Sequence, residues 1–99
     1  MPTFICYLNW TDEGAKNHKE TGKRAQNAKA LAEKLGGRLL SAYVTTGPYD
    51  VVGTLDMPDG DAMAKFVIAL SAQGTVRTTT ARAYSPEEFG KLAVAAAAL

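Results

Sequence analysis

The chain has 99 residues, and its 11 basic and 10 acidic side chains give a formal net charge of +1. A chain of this length is expected to form a single domain over residues 1–99, which buries only about two-thirds of its unfolded surface. The balanced charge argues against nucleic acid as the main partner, and no run approaches the roughly 18 apolar residues of a membrane span.

The first predicted strand, residues 4–10, is largely apolar on both faces. Alternation places Phe4, Cys6, Leu8 and Trp10 on one face and Ile5, Tyr7 and Asn9 on the other. A sheet with one hydrated face needs only one apolar side, so we expect both faces to be covered. Cys6 is the only cysteine, which excludes an intramolecular disulfide and a cysteine zinc cluster. With no secretory signal at the N-terminus, the reducing cytoplasm is the expected compartment.

A polar segment and an amphipathic helix follow this strand. Residues 11–22 are predicted to form a turn or an irregular helical turn over the end of the sheet. Apolar residues then recur at helical spacing, with Thr21 as a possible N-cap and Gly36 and Gly37 as the stop. These apolar residues are Ala25, Ala28, Leu31, Ala32 and Leu35. The alanines are expected to let the helix lie close to the sheet.

The second and third strands are predicted over residues 38–46 and 49–56. Strict alternation places Leu39 on the same side of the second strand as Ser41, Tyr43 and Thr45. Between the strands, Pro48 fixes φ and Gly47 can take a positive φ, which favours a tight turn. The edge of any functional site is expected at this turn.

The remainder of the chain contains a helix, a strand and a final helix. Asp59 is predicted to cap a helix that is apolar nearly all round and ends at Gly74. A fourth strand, residues 75–84, places Arg77 and Arg82 on opposite faces. Residues 85–88 have the pattern of a capping box, and the helix after it is expected to turn Phe89, Leu92 and Ala93 inward.

The element order is βαββαβ plus a terminal helix, the ferredoxin-like plan of an α+β protein. Its antiparallel sheet carries helices on one face only. Because the first strand is apolar on both faces, we expect a second copy of the chain to cover the other face, as in a dimeric α+β barrel.

Five segments in this order resemble the GYD domain family. They are residues 10–14, Arg24, Gly36 with Gly37, residues 47–52 and residues 74–80. The family is named after the glycine, tyrosine and aspartate that match Gly47, Tyr49 and Asp50, and the resemblance extends from Phe4 to about Phe89. It implies a small bacterial or archaeal domain, similar to dimeric α+β barrels and in outline to the ligand-binding domains of Lrp/AsnC-type regulators, with no established activity. His18 departs from the pattern, because an apolar residue is expected there.

Tyr49 and Asp50 are the first candidates for chemistry. If the strand has already begun, they lie on opposite faces and do not act as a pair. In a structural role Asp50 accepts hydrogen bonds from the turn or pairs with an arginine, while Tyr49 packs its ring. In a functional role either residue anchors a ligand at the mouth of a pocket, or Asp50 is a general base. The structural role is the favoured interpretation.

Other candidate residues are spread along the chain. Arg24, Arg77 and Arg82 have the forked donors that hold a carboxylate or phosphate, although Arg82 could instead pair with Asp50 or Asp56. His18, the single histidine, is either an exposed loop residue, an axial haem ligand or a proton carrier. Trp10, Tyr7 and Tyr43 line an aromatic pocket with Asn9, or belong to the core or a dimer interface.

The sequence therefore predicts a homo-oligomer, at least a dimer through the sheet face, that binds a small molecule near residues 47–50. The candidate ligand-binding residues are Trp10, His18, Arg24, Tyr43, Tyr49, Asp50 and Arg77. No cofactor or metal is expected, because phosphate-loop, dinucleotide and metal-ligand motifs are absent from the sequence. The alternatives are a small cofactor-free enzyme of the oxygenase, isomerase or cyclase type, and a structural assembly module.

Overall fold

A four-stranded antiparallel sheet forms the base of the molecule, with its strands in the order β2-β3-β1-β4. In the computed structural model, which describes residues 1–99, the strands are β1 (Thr3–Trp10), β2 (Arg38–Val44), β3 (Val51–Asp56) and β4 (Val76–Ala83). The helices are α1 (Asp12–Lys16), α2 (Thr21–Lys34), α3 (Gly60–Ala72) and α4 (Pro86–Ala97). A 3-10 turn, His18–Glu20, joins α1 to α2. The predicted ferredoxin-like α+β fold is confirmed.

The hydrophobic core lies between α2, α3 and one face of the sheet. Its largest fully buried side chains are Phe66, Leu55, Met57 and Cys6. Antiparallel pairing places Cys6 opposite Gly53 and Thr80. Because paired residues lie on the same side of a sheet, Gly53 and Thr80 are on the helix-covered face with Cys6. The opposite face of the sheet carries Ile5, Tyr7, Tyr43 and Val52, and no helix of this chain covers it. We call it the open face.

A β-bulge in β2 corrects the predicted alternation of that strand. The pairing with β3 shifts between Leu39 and Ser41, so Leu39 lies opposite Leu55 while Ser41 lies opposite Thr54. Leu39 and Ser41 therefore lie on opposite faces, and the Ser41 and Thr54 hydroxyls are 2.6 Å apart. Because of the extra residue, Leu39 lies on the helix-covered face.

The connection between β2 and β3 is longer than the sequence predicts. β2 ends at Val44 and β3 begins at Val51, so residues 45–50 form a loop instead of a tight turn. Gly47 does not adopt a positive φ; the two glycines that do are Gly36, at +86°, and Gly74, at +81°. The loop is closed by a hydrogen bond of 2.8 Å from the Thr45 amide to the Asp50 carbonyl. The Thr45 hydroxyl also donates to the Tyr49 carbonyl.

The ends of α2 and α3 largely follow the predicted signals. Gly36 and Gly74 follow the two helices in the left-handed region. The Asp59 carboxylate accepts a hydrogen bond of 2.8 Å from the Ala62 amide, as predicted for an N-cap. Thr21, predicted as the other N-cap, is instead the first residue of α2, because its backbone is already helical, with φ of -56° and ψ of -42°. Its hydroxyl donates to the His18 carbonyl at 2.6 Å.

The last helix, α4, projects from the rest of the molecule. Its predicted capping box is present, since Ser85 and Glu88 exchange hydrogen bonds of 3.0 and 3.1 Å. The prediction that its apolar residues turn inward is wrong: no residue of α4 is buried, and Phe89 is 62% exposed. The radius of gyration is 14.9 Å, against about 13 Å for a compact chain of 100 residues.

Arg82 holds the start of α4 and does not pair with Asp50 or Asp56 as the sequence suggested. Its guanidinium lies 3.9 Å from the Glu88 carboxylate and 4.3 Å from the centre of the Tyr84 ring. Asp56 instead pairs with Arg38 at 3.4 Å and accepts a hydrogen bond from the Thr3 hydroxyl at 2.7 Å. Arg77 faces Asn9 and Arg82 faces Phe4, so the predicted placement of the two arginines on opposite faces is confirmed.

The start of α4 is expected to loosen in acid. The backbone amide of Ser85 donates to the Glu88 carboxylate and lowers its pKa below the ordinary value. A lowered pKa means that this stabilisation is present above the ordinary pKa and is lost as the pH falls through the lowered one. The NMR signals of residues 86–90 should therefore shift toward random-coil values in acid. In Glu88→Gln, which keeps an acceptor but does not titrate, this shift should disappear; a shift of equal size would contradict the assignment.

Candidate functional site

A cavity of about 80 Å³ lies between α2, α3 and the helix-covered face of the sheet. Its walls are mostly hydrophobic and come from all four strands and both helices. The deep apolar wall consists of Cys6, Leu39, Gly53, Leu55, Phe66 and Leu70. Ala25 and Ala28 of α2 form its roof. The alanines, expected to bring the helix close to the sheet, thus face an internal space.

One end of the cavity is polar. The polar residues Thr21, Arg24, Gln73 and Thr75 line it together with Trp10. Trp10 is the last residue of β1 and lies opposite Val76, the first residue of β4, so these groups gather where β1 ends and β4 begins. Thr21 is the first residue of α2, and the N-terminus of this helix carries a partial positive charge. The cavity thus combines an apolar body with a polar end.

Arg24 reaches from α2 to the segment that covers this polar end. One of its terminal nitrogens donates to the Asn17 carbonyl at 2.9 Å, and the other lies 3.4 Å from the Gly14 carbonyl. Thr11, before α1, donates from its hydroxyl to the Gly74 carbonyl at 2.7 Å. The guanidinium therefore links α2 to α1 and to the residue after it, and Arg24 also lines the polar end of the cavity.

Asp50 forms hydrogen bonds with backbone groups of β1. Its carboxylate accepts a hydrogen bond of 2.8 Å from the Trp10 amide, and its own amide donates to the Leu8 carbonyl at 2.9 Å. The last paired residues of β1 and β3 are Leu8 and Val51. The Asp50 side chain thus replaces the strand partner that Trp10 lacks on this side. This agrees with a structural role for Asp50. The donor is the backbone amide of Trp10 in β1, whereas the sequence suggested the turn or an arginine.

The aromatic residues predicted to share a pocket lie on two different faces. Trp10 lies on the helix-covered face, whereas Tyr7 and Tyr43 lie on the open face. Tyr49 packs against Tyr7, with ring centres 4.6 Å apart and planes tilted by 38°. Arg77 lies opposite Asn9, also on the open face. A single pocket formed by Trp10, Tyr7 and Tyr43 is therefore wrong for this chain.

His18 and Cys6 lie in contrasting environments. His18 is exposed, and its Nδ1 lies 3.1 Å from the Ala15 carbonyl oxygen. Cys6 is buried, and burial raises the pKa of its thiol to about 11, so the thiolate is disfavoured. No three His, Cys, Asp or Glu side chains form a group that could hold a metal ion. None of the helices has both the length and the hydropathy needed to cross a membrane.

Sequence reasoning missed most of the residues that line the cavity. Trp10 and Arg24 were among the candidates, whereas Thr21, Ala28, Gln73 and Thr75 were not. Two features of the sequence could have indicated the cavity. Gly53 inside β3 has no side chain to fill the space opposite Cys6, and the short side chains of Ala25 and Ala28 leave space beneath α2.

The fold defines a small ferredoxin-like α+β domain with a cavity between its helices and its sheet. The chain belongs to the GYD domain family, whose model matches residues 4–93. It is 32% identical over 84 residues to the glutamine synthetase and cystathionine beta-lyase binding protein of Thermus thermophilus, covering 84% of this chain and 88% of the relative. It is also similar to the crystal structure of TTHA0845 from Thermus thermophilus, with a TM-score of 0.54, 25% identity, and coverage of 86% of this chain and 95% of that one.

Proposed function

We propose that this chain is a cytoplasmic binding protein, a homo-oligomer built on a dimer through its open face, that holds a small molecule in the cavity under α2. The observation that carries the proposal is the cavity, with its apolar walls and its polar end at Trp10 and Arg24. Such a site suits a compact ligand with an apolar body and one polar or anionic end.

The positions of the other candidate residues support binding over catalysis. Asp50 is hydrogen-bonded to backbone, Tyr49 packs on Tyr7, and His18 is exposed on the 3-10 turn. None of the three lines the cavity. A cofactor-free enzyme built on these residues would need groups that converge on one substrate. Binding needs only the shape and the polar end that Trp10 and Arg24 supply.

Filling the cavity should abolish binding. Ala28→Leu places a larger side chain in its roof, whereas Ala30→Leu makes the same change at an exposed position of the same helix. Native mass spectrometry of protein purified from its own host should show a retained small mass in the unchanged chain and in Ala30→Leu. Occupancy should fall at least tenfold in Ala28→Leu. A bare chain mass for the unchanged protein, or equal occupancy in all variants, would contradict binding in this cavity.

The open face supports the oligomer. Tyr43, Val52, Tyr7 and Thr79 form one row across the four strands, and Tyr43 is 69% exposed. Apolar and aromatic side chains on a face without helices are of the kind that associates with a second copy. An isologous contact between two open faces would bury both rows at once.

A charge on the open face should break the dimer. Val52→Lys places an ammonium group at the centre of the row, and Ala30→Lys adds the same charge to the exposed side of α2. Sedimentation equilibrium should show at least a tenfold weaker association for Val52→Lys and no change for Ala30→Lys. An unchanged chain that sediments only as monomer at micromolar concentration would remove the basis for the dimer.

A second candidate function is the binding of another protein, in the manner of an assembly module. Its support is the relative named as a binding protein of glutamine synthetase and cystathionine beta-lyase. The test is co-sedimentation of this chain with those two enzymes, purified from the same host. A stoichiometric complex that forms with an empty cavity would favour protein binding over the small-molecule proposal, whereas two independent boundaries would remove it.

A further inference from the structure

One segment of the chain lies across the polar end of the cavity. It consists of α1 and the 3-10 turn with the residue between them, residues 12–20, and we call it the lid. Thr11 connects the lid to Trp10, and Thr21 follows it directly. Trp10 and Thr21 both line the polar end, whereas no residue of the lid lines the cavity itself. The lid therefore lies outside the cavity wall, between two of its polar-end residues.

The hydrogen bonds that fix the lid end on residues of the polar end. The carbonyl groups of Gly14 and Asn17 accept the Arg24 guanidinium, at 3.4 and 2.9 Å. Just before the lid, the Thr11 amide donates to the Thr75 carbonyl at 3.0 Å. Arg24 and Thr75 both line the cavity. Movement of the lid is therefore linked directly to the polar end.

Few other contacts hold the lid on the molecule. All of its residues except Gly14 are exposed, and Gly14 lies against the Thr75 carbonyl and Cβ of Trp10. None of its charged side chains forms a salt bridge, because the two salt bridges of the chain join Arg38 to Asp56 and β4 to α4. A segment with so few buried contacts opens more readily than the core.

The remaining walls of the cavity are held more firmly. The roof is α2, a continuous helix of 14 residues, and the floor is the hydrogen-bonded sheet. Two lining residues are exposed, Gln73 at the polar end and Ala42 in the edge strand β2. Ala42 is paired with Gly53 of β3, so widening the cavity there requires movement of α2 or of a paired strand. Widening it at the polar end requires movement of the lid alone.

We propose that the lid closes the entrance to the cavity and that Arg24 is the residue that holds it closed. This rests on the proposed small-molecule binding and gives Arg24 a positioning role, because its guanidinium joins the roof of the cavity to the lid. Opening breaks the two bonds from Arg24 and leaves Thr11 bound at the start of β4. A lid of this kind sets the rate at which a ligand enters and leaves.

The single cysteine of the chain reports the opening of the lid. Cys6 is 1% exposed and lies in the deep wall of the cavity, so a small neutral thiol reagent, methyl methanethiosulfonate, reaches it only after an opening. Arg24→Gln should label about tenfold faster, because it removes two bonds from a charged donor. Arg24→Lys keeps the charge without the forked donors and should show a smaller increase. Arg38→Gln, the same change at an arginine that binds Asp56 outside the cavity, should label at the rate of the unchanged chain.

Low concentrations of urea distinguish opening of the lid from unfolding of the whole chain. Opening of the lid exposes little surface, so the labelling rate of Arg24→Gln should stay nearly constant in urea below the unfolding transition. A steep rise with urea would assign the labelling to global unfolding and overturn the proposal. Labelling no faster in Arg24→Gln than in Arg38→Gln would also overturn it.

Ala42→Leu tests the other exposed side of the cavity. A larger side chain at this exposed position narrows the cavity beside β2, and labelling of Cys6 should keep its rate. Slower labelling would place the entrance at β2 and overturn the proposal. Labelling requires no ligand, so this experiment is independent of the native mass spectrometry. A bare chain mass would contradict the bound small molecule, whereas an unchanged rate in Arg24→Gln would contradict the lid.

Discussion

Gly14→Ala is expected to lower the free energy of unfolding by about 3 kcal/mol, the upper end of the usual cost of overpacking. Gly14 is the buried residue of α1, and a Cβ added to it would overlap the Thr75 carbonyl oxygen. It would also lie 3.0 Å from the Thr75 carbonyl carbon and 3.3 Å from Cβ of Trp10. The Thr75 carbonyl cannot move aside, because it accepts the Thr11 amide at 3.0 Å. α1 must therefore lift from the end of the sheet.

Urea unfolding of matched glycine variants provides the measurement. Gly22→Ala lies in α2 with no atom within 4 Å of the added Cβ, so it should gain about 0.5–1 kcal/mol. Gly47→Ala also meets no atom within 4 Å and needs no positive φ, so it should be close to neutral. If Gly14→Ala were as stable as Gly47→Ala, the packing of α1 on Thr75 would be contradicted.

The parts of the fold that were predictable from the sequence are those with a local chemical signal. The capping box at Ser85, the cap at Asp59 and the helix ends before Gly36 and Gly74 were all recognised because neighbouring residues determine them. The bulge after Leu39 was not recognised. A prediction based on strict alternation of the two faces cannot show where a strand contains an extra residue. An apolar stripe on α4 likewise shows that some surface should cover it but does not specify which one.

The candidate site was less predictable because it depends on which face each strand presents. Trp10 and Tyr43 look alike in the sequence, yet strand register places them on opposite sides of the sheet. The cavity exists because Gly53 has no side chain and Ala28 has only a methyl group. A search for motifs detects functional side chains and does not detect such an empty space. The sequence favoured a structural role for Asp50, but the Trp10 amide that donates to its carboxylate is distant in sequence and could not be named.

Asp50→Ala is expected to lower the free energy of unfolding by about 1–3 kcal/mol, the cost of leaving a partly buried backbone donor unpaired. The lost acceptor is the one that receives the Trp10 amide at 2.8 Å, at the point where β1 and β3 diverge. Asp50→Asn should lose much less, because an amide oxygen can accept the same bond. Glu33→Ala, at an exposed carboxylate of α2, serves as the control and should be near neutral.

Denaturant unfolding of these variants separates three roles for Asp50. A large loss in Asp50→Ala with a small one in Asp50→Asn is the signature of a hydrogen-bond acceptor. Equal losses in both would mean that the negative charge itself matters, and no loss in either would contradict the bond to Trp10. Trp10 lines the polar end of the cavity, so ligand occupancy should fall together with stability in Asp50→Ala and be retained in Asp50→Asn. Loss of a turnover reaction in Asp50→Asn at full stability would instead favour a general base, and with it the enzyme interpretation.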